Sequence, residues 1–259
     1  MAERPATSTH PGRESEQGFV LLAALWLLLL VGAIAAFLMA RSLRAATELK
    51  AEEQDLRERL VLASAIETVV ADVIFNGPRS RWHMLPASGS VDVDGMTVQV
   101  TLSPENGRLD VNEAAPELID DLFRGIGTPS KTRSRLLAAL GERRVADQPI
   151  GSFSELEAIL KSSGLDARPG SCLLEMLTPF SALPVPRLAL APERLRTALA
   201  RAGKEDGIVE LRSVPIGPVE PVRVRAKVKN ERQLNVILRV TGTTDAPYLV
   251  HHWSERPLC

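Results

Sequence analysis

The chain is poor in the residues from which enzyme sites and nucleic-acid surfaces are built. Only two cysteines occur, Cys172 and Cys259, too few and without His or Cys at ligand spacing to form a zinc site. Aromatic residues make up 4% of the sequence, which leaves little for base stacking. The four histidines are His10 near the N-terminus, His83 in a loop, and His251 with His252 on a candidate strand. Neighbours on a strand point to opposite faces, so the last two are not expected to chelate one metal together. There is no phosphate-binding glycine loop, no Gly-x-Ser-x-Gly elbow and no His-Glu-x-x-His, and no enzymatic activity is expected. A net charge of −1 excludes a global basic field that would attract nucleic acid or an anionic lipid surface. With 259 residues, 45% of them hydrophobic, the chain can still fill an anchor and one or two compact cores.

What is abundant is concentrated near the start. Residues 19–40, FVLLAALWLLLLVGAIAAFLMA, form an apolar run without a charge, and about 20 apolar residues suffice for a helix to cross a bilayer core. A cleaved secretory signal would have a shorter apolar core and a small-residue cleavage site at its far end. Here the run passes through Phe37, Leu38, Met39 and Ala40 into Arg41 and a charged helical pattern, with no Gly or Pro between. By Lys and Arg count, Arg4 and Arg13 before the run against Arg41, Arg44 and Lys50 after it, the flanks favour the leader outside by about one charge. If the body is exported, an oxidising periplasm would let Cys172 and Cys259 pair; two unpaired thiols fit the sequence equally well.

Helical spacing continues from residue 41 to 75, with an apolar stripe at Leu49, Leu56, Leu60, Ala63, Ile66, Val70, Val73 and Ile74, and Asn76-Gly77-Pro78 ends it. The stripe must pack in a coiled coil or on a small sheet. Residues 90–93 and 96–102 alternate around Asp94-Gly95, a type I′ hairpin pair. Three further alternating segments, around 222–228, 234–240 and 248–253, predict an antiparallel meander with one face for the helix. Its other face, carrying Arg223, Arg225, Lys227 and Lys229, reads as solvated. Between hairpin and meander, residues 116–180 are helical and short-looped. Pro116 stands at a first helical position, Thr128-Pro129 caps a helix over 130–140, and Ser152-Phe-Ser-Glu155 is a capping box for a helix to Leu160. The segment before them, residues 104–112, reads as a turn, with Asn106-Gly107 supplying positive φ and Asn112 a local cap. Gly125-Ile126-Gly127 has helix-hairpin-helix spacing. Either its amides face a phosphate, aided by Lys131, Arg133, Arg135, Arg143 and Arg144, or its glycines let two helices pack tightly; Asp120, Asp121 and Glu142 dilute the charge.

A leader ending in Gly18, then Phe19 opening an apolar helix that runs on into an amphipathic one, resembles the class III signal of type IV pilins and of type II secretion pseudopilins. The segment Glu105-Asn-Gly-Arg-Leu-Asp-Val-Asn112, followed by Ala114-Ala115-Pro116, resembles the entry to the inserted helical domain of the K-type pseudopilins. Ala23 stands where most pilins carry Glu, and the K type lacks that Glu. The chain therefore resembles the minor pseudopilin K of type II secretion, the general secretion pathway protein K family.

The resemblance implies an α+β fold: a long N-terminal transmembrane and amphipathic helix packed on an antiparallel, pilin-like sheet, with an inserted all-helical domain. Its implied parts are a cytoplasmic leader (1–18, removed), a transmembrane helix (19–40), a first pilin-like part (41–112), the helical insert (113–180) and a second pilin-like part (181–259). A prepilin peptidase would cut between Gly18 and Phe19 and Phe19 would be N-methylated. The product would sit in the bacterial inner membrane with its bulk in the periplasm. Its partners would be the I- and J-type minor pseudopilins, other pseudopilins and the inner-membrane secretion platform, with no nucleic acid. It would initiate and cap the pseudopilus: Ala23 offers no carboxylate to an earlier subunit's amine, and a bulky insert obstructs a further subunit. No cofactor is expected. Some K-type members bind calcium, and Asp92, Asp94, Glu105, Asp110, Glu113, Asp120, Asp121 and Asp147 supply oxygens, but Arg143 and Arg144 replace the acidic segment expected after the second insert helix. The alternative is a membrane-anchored helix-hairpin-helix DNA-binding protein of the competence type.

Overall fold

The computed structural model describes residues 13–165, 172–203, 213–217, 220–229, 232–243 and 245–255. The chain divides into two compact units, Met1–Arg57 and Glu58–Cys259. Helix α1, Arg13–Asn76, begins in the first. From Phe19 to Leu43 its large apolar side chains are exposed, and it is the one helix among the described residues long and apolar enough to cross a membrane.

In the second unit, the end of α1 packs on a five-stranded sheet. The strands are β2 (Ala87–Val93), β3 (Met96–Pro104), β7 (Val222–Lys227), β8 (Gln233–Val240) and β9 (Tyr248–Ser254), in that order and antiparallel throughout. Asp94 and Gly95, both at positive φ, close the β2–β3 hairpin as their type I′ sequence predicts. Two short pairs flank the sheet, β1 (Met84–Leu85) with β6 (Val214–Pro215) and, in parallel, β4 (Leu109–Asp110) with β5 (Leu177–Thr178). Between β3 and β7 run α2 (Pro116–Gly125), α3 (Ser130–Val145), α4 (Phe153–Ser162), α5 (Leu173–Met176) and α6 (Glu193–Arg201).

The sheet separates two cores. One joins Leu62, Ala65, Ile66 and Val69 of α1 to Val98, Val100, Val224 and Val236. The other is built from α2 to α6 and takes in Ile237 from the opposite face of β8. The helical cluster thus extends beyond residue 180, because Leu195, Ala198 and Leu199 of α6 belong to its core.

The buried face of α1 differs from the stripe read in the sequence. Ile66, Val70 and Val73 are buried together with Val61, Leu62, Ala65 and Val69, but Leu60 is exposed, and Leu49 and Leu56 precede Glu58, where burial on the helix begins. The helix ends where Asn76 and Ser80 both donate to the Asp72 carboxylate, 2.6 and 2.5 Å away. Thr128 is not a side-chain cap: Pro129 stands at the N-cap of α3, which runs five residues past Leu140 to Val145. Ser152 does cap α4, its hydroxyl accepting the Glu155 amide at 3.2 Å, and the Glu155 carboxylate reaches back to the Gly151 amide.

Two glycines are required by close backbone approach. A Cβ on Gly107 would lie 2.3 Å from the Leu190 carbonyl oxygen, and one on Gly125 would lie 1.8 Å from that of Ala198, where α2 crosses α6. Gly141 in α3 has open space around its Cα. Gly125→Ala is therefore expected to lower the thermal midpoint of the full chain, because backbone rather than a flexible side chain must move. Gly141→Ala should leave it unchanged or raise stability by about 0.5–1 kcal/mol through helix propensity. Calorimetry of the two variants checks the contrast.

Candidate functional site

Gly18 lies within α1, and Phe19 beside it is 73% exposed. Ala23 is exposed on the same helix. Cys172 is disulfide-bonded; the chain's other cysteine, Cys259, lies outside the described residues. His10 lies outside them too.

The most concentrated chemistry in the second unit is where the chain leaves the sheet for the helices. After β3, Glu105–Gly107 forms a buried 3-10 turn. Gly107 is not at positive φ, so the turn reading of Asn106-Gly107 is corrected: glycine is there to admit the Leu190 backbone. Glu105 is fully buried, and so is Arg223 at 1% exposure. They form a bidentate pair, Arg223 Nε to Glu105 Oε1 at 2.6 Å and Nη2 to Oε2 at 3.2 Å. The third Arg223 nitrogen donates to the Leu174 carbonyl at 3.1 Å, and its guanidinium lies 5.4 Å from the Phe153 ring centre. Arg108 adds a second cation 3.5 Å from Glu105 and donates to the carbonyls of Pro104 and Glu175. Arg225, one turn of the pleat further, reaches Asn235 and Glu175.

The electrostatics follow from burial. Desolvation works to raise the Glu105 carboxyl, but Arg223, Arg108 and hydrogen bonds from Thr178 and Arg223 outweigh it and hold the group below the ordinary carboxylate range. Burial, and then the neighbouring Arg223, pull the Arg108 guanidinium down to about 10, with Glu105 and Glu175 opposing. The face read as a solvated basic strip is thus corrected: Arg223 is buried and Arg225 half-buried, while Lys227 and Lys229 alone are exposed. The reason is that helices cover this face of the sheet.

A second knot lies just downstream. Asp110 accepts from the Asn112 amide at 2.8 Å, the Ala182 amide at 2.8 Å and the Ser181 hydroxyl at 3.1 Å. Asn112 is a long-range staple rather than a local cap. Its side chain donates to the carbonyls of Ile150 and Pro179 and accepts the Ile150 amide. These two residues fasten the entry of the helical cluster to the segment that follows β5.

The cations of the helix-hairpin-helix segment are largely committed to the fold. Arg133 pairs with Asp120 at 2.7 Å and binds the Thr128 carbonyl. Arg143 pairs with Glu155 at 3.0 Å, and Arg144 donates to the carbonyls of Val111 and Ala114. Lys131 and Arg135 stay exposed. Gly125 is pressed on α6, as tight helix packing requires, whereas Gly127, at positive φ, has open space around its Cα. Of the acidic side chains considered for calcium, Glu105, Asp110 and Asp120 have these internal partners, Asp121 pairs with Arg124, and Asp92 accepts from Thr97. Among the described residues no three His, Cys, Asp or Glu side chains are grouped to hold a metal ion.

No family model matches the chain, and no curated protein matches it. Among solved structures it is similar to a chain of the GspK-GspI-GspJ complex from the type 2 secretion system of enterotoxigenic Escherichia coli. The similarity has a TM-score of 0.52 at 12% identity and covers 80% of this chain and 98% of that one. The chain therefore has an α+β fold shared with a component of that complex.

Asp110→Ala would leave the Asn112 and Ala182 amides without their acceptor. The expected cost is about 1–3 kcal/mol for each stranded donor, read as a lower denaturant midpoint of the full chain in detergent. An unchanged midpoint would mean the knot is dispensable.

Proposed function

We propose that this chain is a K-type minor pseudopilin of a type II secretion system, anchored in the inner membrane by α1, with its second unit in the periplasm. The observation that carries the reading is the coincidence of two independent features. The fold matches nearly the whole of a chain from a complex that contains GspK, GspI and GspJ. The sequence places Gly18-Phe19 directly before an apolar helix. Neither feature depends on the other.

In this reading the prepilin peptidase cuts between Gly18 and Phe19, and the partners are the I- and J-type pseudopilins, then the rest of the pseudopilus and the inner-membrane platform. The role is structural: the subunit begins the fibre and remains at its tip. Ala23 supports that position. A carboxylate there would serve to neutralise the free amine of an earlier subunit, and an unpaired charge at membrane depth costs about 2.5–3.5 kcal/mol on insertion scales. A first subunit has no earlier amine to meet. The buried ionic junction needs no ligand in this role; it keeps the helical cluster fixed to the sheet. Cys172 and Cys259 pair with each other in an oxidising periplasm.

Intact-mass analysis of the protein extracted from membranes of a peptidase-positive host tests the processing. The expected species begins at N-methylated Phe19, and Gly18→Val should retain residues 1–18. A wild-type chain still beginning at Met1 or Ala2 overturns the reading. Ala23→Glu is expected to leave the second unit folded, with an unchanged thermal midpoint, while reducing secretion in a strain that depends on this subunit.

A further inference from the structure

Adjacent residues on a regular strand face opposite sides, and His251 and His252 were expected to part on that ground. The strand is not regular there. Val250 pairs with Leu238 and His252 with Ile237, so His251 is the extra residue of a β-bulge. Both imidazoles consequently meet the same aromatic cluster. His252 contacts Phe153 edge-to-face with ring centres 4.8 Å apart, His251 lies against Phe180 at 5.3 Å, and the two phenylalanines meet edge-to-face at 5.7 Å. Phe153 opens α4 and Phe180 follows β5, so these four rings form the seam between the sheet and the helical core.

Each imidazole has its Nε2 buried and, among the described residues, without a hydrogen-bond partner. A neutral ring tolerates this as an unmet acceptor, whereas a charged ring places a cationic N–H donor in the same dry position. The charges that reach the pair are Arg239 on β8, Arg223 on β7 and Glu105 in the 3-10 turn. Glu105 is already matched by Arg223 and Arg108. On the helical side, α4 and the segment after β5 meet the pair with phenylalanine rings. Among the described residues the anion that reaches the seam is Glu105, so two new positive charges would share a carboxylate that already serves two arginines.

We propose that the bulged His251–His252 pair is an acid-sensitive latch: uncharged, it holds the helical core against β9, and protonated, it loosens that seam while both cores stay folded. The latch is independent of the secretion reading. Burial, with Arg239 beside His251 and Arg223 beside His252, keeps both imidazoles below their ordinary range, Glu105 opposing. Because the folded values lie below the unfolded value of about 6.5, the unfolded or opened chain binds more protons in between. The latch's contribution is therefore present above about pH 6.5 and is lost as pH falls toward the folded values. Glu105, also held low, titrates below its ordinary 4.5, outside this window.

The test uses the full chain in dodecyl maltoside micelles at pH 7.5 and pH 5.5. The wild-type thermal midpoint should fall by about 2–4 °C on acidification. Hydrogen exchange, corrected for the intrinsic pH dependence, should rise in α4 and β9 and not in β3. His251→Phe with His252→Phe keeps the rings, removes the charge, and should abolish most of both changes, whereas His83→Phe should keep them. An acid response in the double variant equal to wild type, or none in wild type, overturns the proposal. If the double variant does not fold, each single variant must still reduce the response, and two unreduced responses overturn it equally.

Discussion

The second unit depends on one costly contact, a carboxylate and a guanidinium withdrawn from water between a sheet and a set of helices. Taking both charges out of solvent carries a penalty of several kcal/mol per ion, which only good geometry and satisfied remaining valences offset. Both conditions hold. Glu105 and Arg223 meet through two parallel hydrogen bonds, and the remaining Arg223 nitrogen finds the Leu174 carbonyl. Arg108 closes the ring from the other side. A helical cluster docked one residue out of register would strand a buried charge, so the junction selects a single arrangement of cluster on sheet more than it adds stability.

That selection explains why so many polar groups gather where the chain passes between architectures. Glu105, Arg108, Asp110 and Asn112 lie within eight residues of one another, and each bonds to a segment far away in sequence: Arg223, Glu175, Ala182, Ile150. A chain that departs a sheet, builds a helical cluster and returns needs its two crossings held together. Here they are held by side chains with directional demands rather than by apolar area alone.

Much of the architecture was legible in the sequence. The apolar run, the Asp94-Gly95 hairpin, Pro116, the Ser152 capping box and the three alternating strands all encode their structure locally, through length, turn chemistry or period. What escaped was long-range. Alternation in Val222-Arg-Val-Arg-Ala-Lys227 suggested one wet face, yet the partner strand contains Val236-Ile237-Leu238, three consecutive apolar residues. Such a run marks a strand buried on both sides, and Arg223 pairs across from Ile237. That register could have shown the arginine to be interior, and an interior arginine demands a carboxylate. The bulge at His251 left no such trace, since an inserted residue is set by the neighbour it must reach. Likewise the leucines at 49, 56 and 60 share a helical period with the buried positions, yet burial on α1 begins only at Glu58, a limit set by partners distant in sequence.

A double-mutant cycle on Glu105 and Arg223 tests the central claim most directly. Unfolding free energies of the full chain in detergent would be compared for wild type, Glu105→Gln, Arg223→Met and the double variant. If the pair is the contact that fixes cluster to sheet, the two losses are coupled by about 1–3 kcal/mol, and the double variant is much less damaged than the sum of the single ones. Losses that add to within about 0.3–0.5 kcal/mol would mean the two charges act independently, which contradicts the account.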